Sequence, residues 1–353
     1  MTTTAPSPQG RTTRTLRLAA VSAAALLALT ACGSGSPTDG GTTTPAGEGS
    51  TGTEASGGAS GDLTHIEVGV IPIVDVAAIY LGVDEGIFEK HGLDVTLTQA
   101  QGGAAIVPAV QSGQMEFGFS NVTSLIVGRD AGLPLKLVAT GPQSTGVPDA
   151  DAAGVLVLKD STIQSIEDVQ GQRVAVNTLN NIMDSTVSEG VTQAGGDPDS
   201  VEFVEMGFPD MLAQLESGNV DAMAASEPFV TIAKQAGARV VYGQFAEPVE
   251  DLSIAGYFTT DQLIAKDPEL VEKFTAAMKE SQQYATDNPE AAKAILPTYT
   301  SLEEDVIGEM VMPLFPQLHN NASLERIAEI SLENELIKEI PETDDLIVEG
   351  AGQ

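Results

Sequence analysis

Short apolar runs alternate with helical segments from residue 64 onward. This alternation is the strongest constraint on the fold, because strands joined through helices pair in parallel and are covered on both faces. The runs lie at 66–71, 94–98, 116–120, 135–139 and 155–158, and a second series follows at 173–176, 201–205, 220–225 and 239–242. Beyond Tyr257 the pattern lengthens into helices predicted over 268–287 and 302–312, with prolines at their borders. The reading is an α/β fold.

A weak internal repeat divides the strands into two sets. Ser112-Gly113-Gln114-Met115-Glu116-Phe117 is similar to Ser217-Gly218-Asn219-Val220-Asp221-Ala222. In each, a helix ends on a glycine suited to the left-handed position and a strand follows. Both strands end in polar residues before another helix, Ser120-Asn121 in the first and Ser226-Glu227-Pro228 in the second. Two similar α/β lobes are therefore expected. Ligands of open parallel sheets bind beyond the carboxyl ends of the strands, where helix N-termini direct unpaired amides toward them. Four turns fit that position: 72–77, Gln101-Gly102-Gly103, Ser120-Asn121-Val122-Thr123 and Asn177-Thr178-Leu179-Asn180-Asn181. Any one of these polar residues also serves as a helix cap. The last turn supplies four where a cap needs one.

The N-terminus carries Arg11, Arg14 and Arg17, then an apolar run from Leu18 to Leu29, and no acid before Cys32. That is the composition of a secretory signal, too short to remain as a spanning helix. Its end, Leu29-Thr30-Ala31-Cys32-Gly33, resembles a bacterial lipobox, so residues 1–31 are read as a leader and Cys32 as the site of lipidation. Acyl chains on Cys32 would then anchor the protein to the membrane. Cys32 is the chain's one cysteine, which excludes an intrachain disulfide. Residues 33–62 are almost wholly Gly, Ser, Thr, Ala and Pro with a few acids, a composition that cannot bury a core. They are read as a tether reaching about 30 Å. The remaining residues suffice for two lobes with separate cores.

The chain has 50 acids against 16 bases. Such self-repulsion favours solubility and argues against nucleic acid or an anionic membrane surface as partner.

The ordered segments carry a resemblance. Gly69 to Leu81 lead into Asp84-Glu85-Gly86-Ile87-Phe88-Glu89-Lys90-His91-Gly92-Leu93-Asp94-Val95. After these come Gln101-Gly102-Gly103, the stretch 112–121, Ile166 to Asn177, and Glu227-Pro228-Phe229. Together, behind a lipobox, they resemble the SsuA/TauA, THI5-like (NMT1) family of ABC-transporter substrate-binding lipoproteins. The resemblance implies a type II periplasmic-binding-protein-like fold: two α/β lobes joined by two crossing segments and closed by hinge motion. Lobe I is expected at 64–160 and 254–345 and lobe II at 163–250, with crossings near 159–163 and 249–254. The family's cleft positions map onto Val74, Asp75, Gln101, Gly102, Ser120, Asn121, Asn177, Thr178, Asn181 and Glu227. The implied role is capture of a small nitrogen- or sulfur-containing solute of the thiamine-pyrimidine, taurine/sulfonate or nitrate class. The implied partners are an ABC permease and its ATPase subunits. The protein is expected to be monomeric, free of cofactor and metal, and held at the outer membrane face through its lipid alone.

Sulfonate and nitrate binders of the family often place a cation or aromatic in the cleft. This chain has no Trp, and its arginines beyond the leader are Arg129, Arg173, Arg239 and Arg326, none of them in a strand-end turn. Asp75 and Glu227 would instead accept from an amine or ring N–H, with Tyr80, Phe208 or Phe229 packing on an apolar face. An amine-bearing or heteroaromatic solute is expected, zwitterions of the taurine kind next. The pyrimidine synthases of the THI5 branch need a catalytic histidine and a cysteine-rich iron motif. Here His65, His91 and His319 are far apart in sequence, without metal-ligand spacing, and are expected at the surface.

Overall fold

A computed structural model describes residues 63–100 and 102–351, all within one compact unit. The expected leader, Cys32, the tether and Gln101 lie outside these residues.

The strands are β1 (Thr64–Val70), β2 (Leu93–Gln99), β3 (Phe117–Asn121), β4 (Leu135–Thr140), β5 (Ala153–Leu158), β6 (Arg173–Val176), β7 (Glu202–Glu205), β8 (Ala222–Ser226), β9 (Ala238–Tyr242) and β10 (Ala255–Thr260). They form two five-stranded sheets, ordered β2-β1-β3-β10-β4 and β7-β6-β8-β5-β9. In the first, β1 is parallel to β2 and β3, and β10 runs antiparallel between β3 and β4. The second repeats the pattern, with β6 parallel to β7 and β8, and β5 antiparallel between β8 and β9. Because helices cover both faces, the central strands are buried without a break; all five residues of β8 and all six of β10 are buried.

Around these sheets pack α1 (Ala77–Asp84), α2 (Ile87–Lys90), α3 (Gly103–Gln111), α4 (Val122–Asp130), α5 (Ile182–Gln193), α6 (Phe208–Glu216), α7 (Phe229–Gln235), α8 (Asp261–Lys266), α9 (Pro268–Asp287), α10 (Pro289–Ala294), α11 (Glu304–Glu309), α12 (Asn321–Glu333) and α13 (Thr343–Leu346). The longest, α9, starts where the Asp267 side chain accepts from Leu270 N and proline stands in the first turn. Its apolar stripe, Leu270, Phe274, Ala277 and Met278, turns inward, and Phe274 stacks on Phe117 with ring centroids 3.9 Å apart. Against the same helix α1 presents Gly82, where a Cβ would stand 1.9 Å from Ser281 Oγ, so only glycine permits this approach.

Four expectations are corrected. Strand 155–158 was placed in the first lobe, but β5 pairs with β8 and β9 of the second sheet. Apolar periodicity marks a strand without saying which sheet receives it. The first crossing therefore precedes β5, between β4 and Ala153, and residues 159–163 are a turn inside the second lobe, with Ser161 N bonded to Leu158 O. The return crossing runs between β9 and β10. The two crossings lie side by side, with Ser144 N donating to Leu252 O at 2.9 Å and Ile254 N to Pro142 O at 3.0 Å. Second, β10 was not anticipated: it is a six-residue buried run without alternation, at the edge of helix-rich sequence. Third, His319 is buried at 1% exposure, in a loop with its ring against Ala139 O, and burial lowers its pKa to about 4. The helix predicted over 302–312 is shorter, at Glu304–Glu309.

Candidate functional site

The carboxyl ends of β1 and β3 in one sheet, and of β6 and β8 in the other, lead into the turns that meet between the lobes. After β1 the chain makes a 3-10 turn, Val74–Val76, entered through Ile73 N bonded to Ile71 O at 2.8 Å. After β3, Asn121 caps α4 by accepting from Ser124 N at 2.9 Å. After β6, Asn181 accepts from Met183 N at 2.8 Å and opens α5, while Asp184 reaches back to Asn181 N at 2.8 Å in a capping box. After β8, the Glu227 carboxylate accepts from Thr231 N at 2.9 Å and Thr231 Oγ1 at 2.8 Å.

These turns enclose a cavity of about 30 Å³, room for one or two water molecules. The first lobe contributes Ile71, Ile73, Asp75, Phe119 and Asn121; the second contributes Asn177, Ile182, Met183, Phe208 and Ser226. Phe245, Ile254 and Ala255, from the return crossing and the start of β10, complete it. Larger surface depressions, of about 780 and 960 Å³, lie along α9 and residues 312–318 and beside α8 and residues 347–350. Neither contains an expected site residue, and neither draws polar groups from both lobes, so the interlobe cavity is the candidate despite its size.

Of the expected residues, Asp75, Asn121 and Asn177 border the cavity. Gly102 and Thr178 face each other across the lobes: a Cβ on Gly102 would lie 3.4 Å from Thr178 Oγ1. Ser120 is fully buried, its hydroxyl has no partner among the described residues, and it presses on α3 so closely that a Cβ at Gly103 would stand 2.1 Å from Oγ. Asn181 is buried as the α5 cap, and Val74 is packed in the core. Glu227 is also buried, and beyond Thr231 its carboxylate accepts from Val311 N at 3.2 Å, a first-lobe amide. It does not border the cavity. Gln101 lies outside the described residues. Sequence reasoning did not single out Phe119, Phe245, Ile182 and Met183. Phe119, next to Ser120, and Ile182, next to Asn181, stand beside turns that the sequence marks; Phe245 does not.

Electrostatics set Asp75 apart. It is 5% exposed, and among the described residues no side chain and no amide but its own donates to it. Burial first, and the charge of Asp151 second, push its pKa up to about 7 against that single backbone bond. Asp151, in the first crossing, is satisfied by Ser144 Oγ at 2.7 Å and by the amides of Thr145 and Ala152, each at 2.9 Å. Two phenols sense Asp75 as well: Tyr257 lies well above the usual range chiefly through burial, then through Asp75 and Tyr80, and Tyr299 does so chiefly through burial, then through Tyr80, Tyr257 and Asp75. Tyr299 OH donates to Ile73 O at 3.1 Å, and its ring stacks on Tyr80 at 3.8 Å. The Tyr257 hydroxyl has no partner among the described residues.

Among the described residues no cation borders the cavity. Arg129 pairs with Asp261, Arg173 with Asp221, and Arg326 with Glu189, while Arg239 donates to the carbonyls of Ser161 and Ile163.

A family model described as NMT1/THI5 like matches residues 73–292. A protein of Brucella abortus (strain 2308) named as a binding protein is 23% identical over 223 residues, 63% of this chain and 66% of that protein. A 4-amino-5-hydroxymethyl-2-methylpyrimidine phosphate synthase of Saccharomyces cerevisiae is 24% identical over 227 residues, 60% of this chain and 63% of the relative. The chain thus spans just under two thirds of the length of these two relatives. Among solved structures, the alkanesulfonate-binding protein SsuA from Xanthomonas axonopodis pv. citri, bound to MOPS, is similar with a TM-score of 0.68 at 14% identity, over 82% of this chain and 99% of that one. The likeness shows a common fold, that of the periplasmic binding proteins.

Proposed function

The chain belongs to the NMT1/THI5-like family, and from that premise we propose that it is the extracytoplasmic solute-binding component of an ABC importer. One observation carries the reading: the cavity is lined by both lobes and by the return crossing, so its occupant touches every part that moves when the lobes part. A cavity of about 30 Å³ admits an organic solute only by such opening. Paired crossing segments supply the hinge, and a ligand that bridges the lobes favours the closed form by its extra contacts there. The closed form is then presented to a permease whose ATPase subunits lie on the far side of the membrane. The name of the Xanthomonas neighbour, an alkanesulfonate-binding protein, supports the same role.

The solute is a small nitrogen-bearing molecule with an apolar or aromatic face, which fits a cavity combining Asp75, Asn121 and Asn177 with Phe119 and Phe208. Gly102, Ser120, Thr178, Asn181 and Val74 support the contact shell rather than form it, and Gln101 is kept as a contact from the family pattern. Glu227 acts by tying β8 to the first lobe through Val311. Cys32 carries the lipid anchor, and its replacement by serine is expected to release the protein into the medium with ligand affinity unchanged. A second reading, a pyrimidine-precursor enzyme, is favoured by the yeast relative alone.

Native mass spectrometry of the purified full-length protein tests the proposal. A co-purifying small molecule, recovered unchanged and raising Tm when added back, is the expected result. Conversion of that molecule would establish the enzyme, and the absence of any saturable ligand would remove the transport role.

A further inference from the structure

We propose that the cleft selects an organic cation, with Asp75 as its counter-ion. The assignment rests on the solute-binding reading above and adds the charge of the solute to it. A buried carboxylate is retained only where something compensates it, because desolvation of an unpaired charge costs several kcal/mol. At Asp75 nothing among the described residues does so: its only donor there is its own amide, and no described Lys, Arg or His borders the cavity. The other buried acids of the region are all satisfied. Asp151 has a hydroxyl and two amides, Asp184 has the amides of Asn180, Asn181 and Ser185, and Glu227 has Thr231 and Val311. Of these described acids, Asp75 alone borders the cavity without a partner beyond its own amide. The missing charge must arrive with the ligand.

The walls are consistent with this. Phe119, Phe208 and Phe245 border the same cavity, and aromatic faces attract a cation desolvated beside them. Anions meet the opposite conditions. A sulfonate or nitrate entering beside Asp75 and near Asp151 would find two buried acids and no cation. This site therefore departs from the ligand in the name of its Xanthomonas neighbour.

Proton balance follows directly. Among the described residues the titratable groups that act on or sense Asp75 are Asp151 of the first crossing, Tyr257 of β10 and Tyr299 of the loop before α11, with Tyr80 of α1 stacked on Tyr299. The three tyrosines stay neutral at ordinary pH, because their pKa values are raised above the usual phenol range. Below pH 7 the carboxyl is protonated, so a cation binds by displacing that proton to solvent. Above pH 7 it binds the carboxylate directly.

The test uses the full-length protein and defined probes: choline and benzylamine as cations, benzyl alcohol as the neutral isostere, and ethanesulfonate and nitrate as anions. Thermal shift ranks the probes, and titration calorimetry in buffers of different ionisation enthalpy counts protons. Cations alone are expected to raise Tm. Choline, whose charge is fixed, should bind about 30-fold more weakly at pH 5.5 than at pH 8.5 and release close to one proton at the lower pH. Asp75→Asn should lose at least tenfold in choline affinity and abolish the pH dependence; because it removes a buried charge, it should also fold. Stabilisation by an anion, or choline binding unchanged in Asp75→Asn, overturns the cation assignment and leaves the solute-binding reading standing. A protein that no probe stabilises and that carries no co-purifying molecule overturns both.

Discussion

The turn after β1 and the turn after β6 occupy equivalent places in two sheets of the same topology, yet they treat their acids in opposite ways. Behind β6, Asp184 is buried and receives, besides its own amide, those of Asn180, Asn181 and Ser185, which fix the entry of α5 and oppose the effect of burial on its pKa. Behind β1, Asp75 is equally buried and receives only its own. One acid serves the fold. The other is held against desolvation with no structural return, and such residues are found where a site requires them. Both lobes bring an amide and apolar side chains to the cavity, Asn121 and Phe119 from the first and Asn177 and Phe208 from the second, and the one acid that borders it, Asp75, comes from the first.

Asp75→Asn should break the contrast with the largest effect. Its pKa is about 7 in the folded protein against 3.8 when unperturbed. Between those values the folded state keeps a proton that the unfolded chain gives up, so stability is full below pH 4 and falls as pH rises to 7. The difference of about 3 units corresponds to a ceiling of roughly 4 kcal/mol. Chemical denaturation should find Asp75→Asn more stable than the parent at pH 8 by up to that amount, and close to equal at pH 4. Equal stability at both pH values would mean that Asp75 is not buried unpaired. Asp184→Ala should act in the other direction: loss of the capping box costs about 2 kcal/mol, and an unchanged denaturation midpoint would show that the two acids are not different in kind.

A smaller effect separates the halves of the repeat. Glu116 accepts from Glu67 N at 2.8 Å, and in the second lobe Asp221 accepts from Arg173 N at 3.0 Å, each acid fastening the start of its strand to the one beside it. Asp221 also holds the Arg173 guanidinium at 2.9 Å. Asp221→Asn should therefore cost about 1 kcal/mol and Glu116→Gln less, since the extra pair is partly exposed and screened. A larger loss at Glu116 would reverse that order.

Much of the molecule was legible because apolar runs bounded by glycine report strands directly; Arg173–Val176 and Pro268–Asp287 fall where the pattern places them. Sheet membership was not legible. Strand β5 has the same composition in either sheet, and only the pairing of residues 141–144 with 252–255 decides where the chain crosses. At the site, polar strand ends pointed to Asp75, Asn121 and Asn177, since helix entries must be polar there. The aromatic wall had no such marker: Phe245 comes from a crossing segment and meets Phe119 and Phe208 only through tertiary packing. Glu227 illustrates the remaining ambiguity. A carboxylate before a helix suits a ligand contact or a cap, and its distance to Val311 N, 84 residues away, is invisible locally.

The smallest expected effect tests whether the lobes are alike where the repeat says they are. Gly113 and Gly218 end α3 and α6 with φ of +72° and +70°, and a Cβ at either would have nothing within 4 Å. With no clash at either position, Gly113→Ala and Gly218→Ala isolate the left-handed backbone conformation, which costs an alanine about 1 kcal/mol. Urea denaturation should show the two variants losing equal stability within error, and the double mutant losing their sum, because the sites lie in different lobes. Unequal losses would locate a difference between the lobes in the unfolded chain or in the neighbouring strands, since the glycines themselves are matched in geometry and in surroundings.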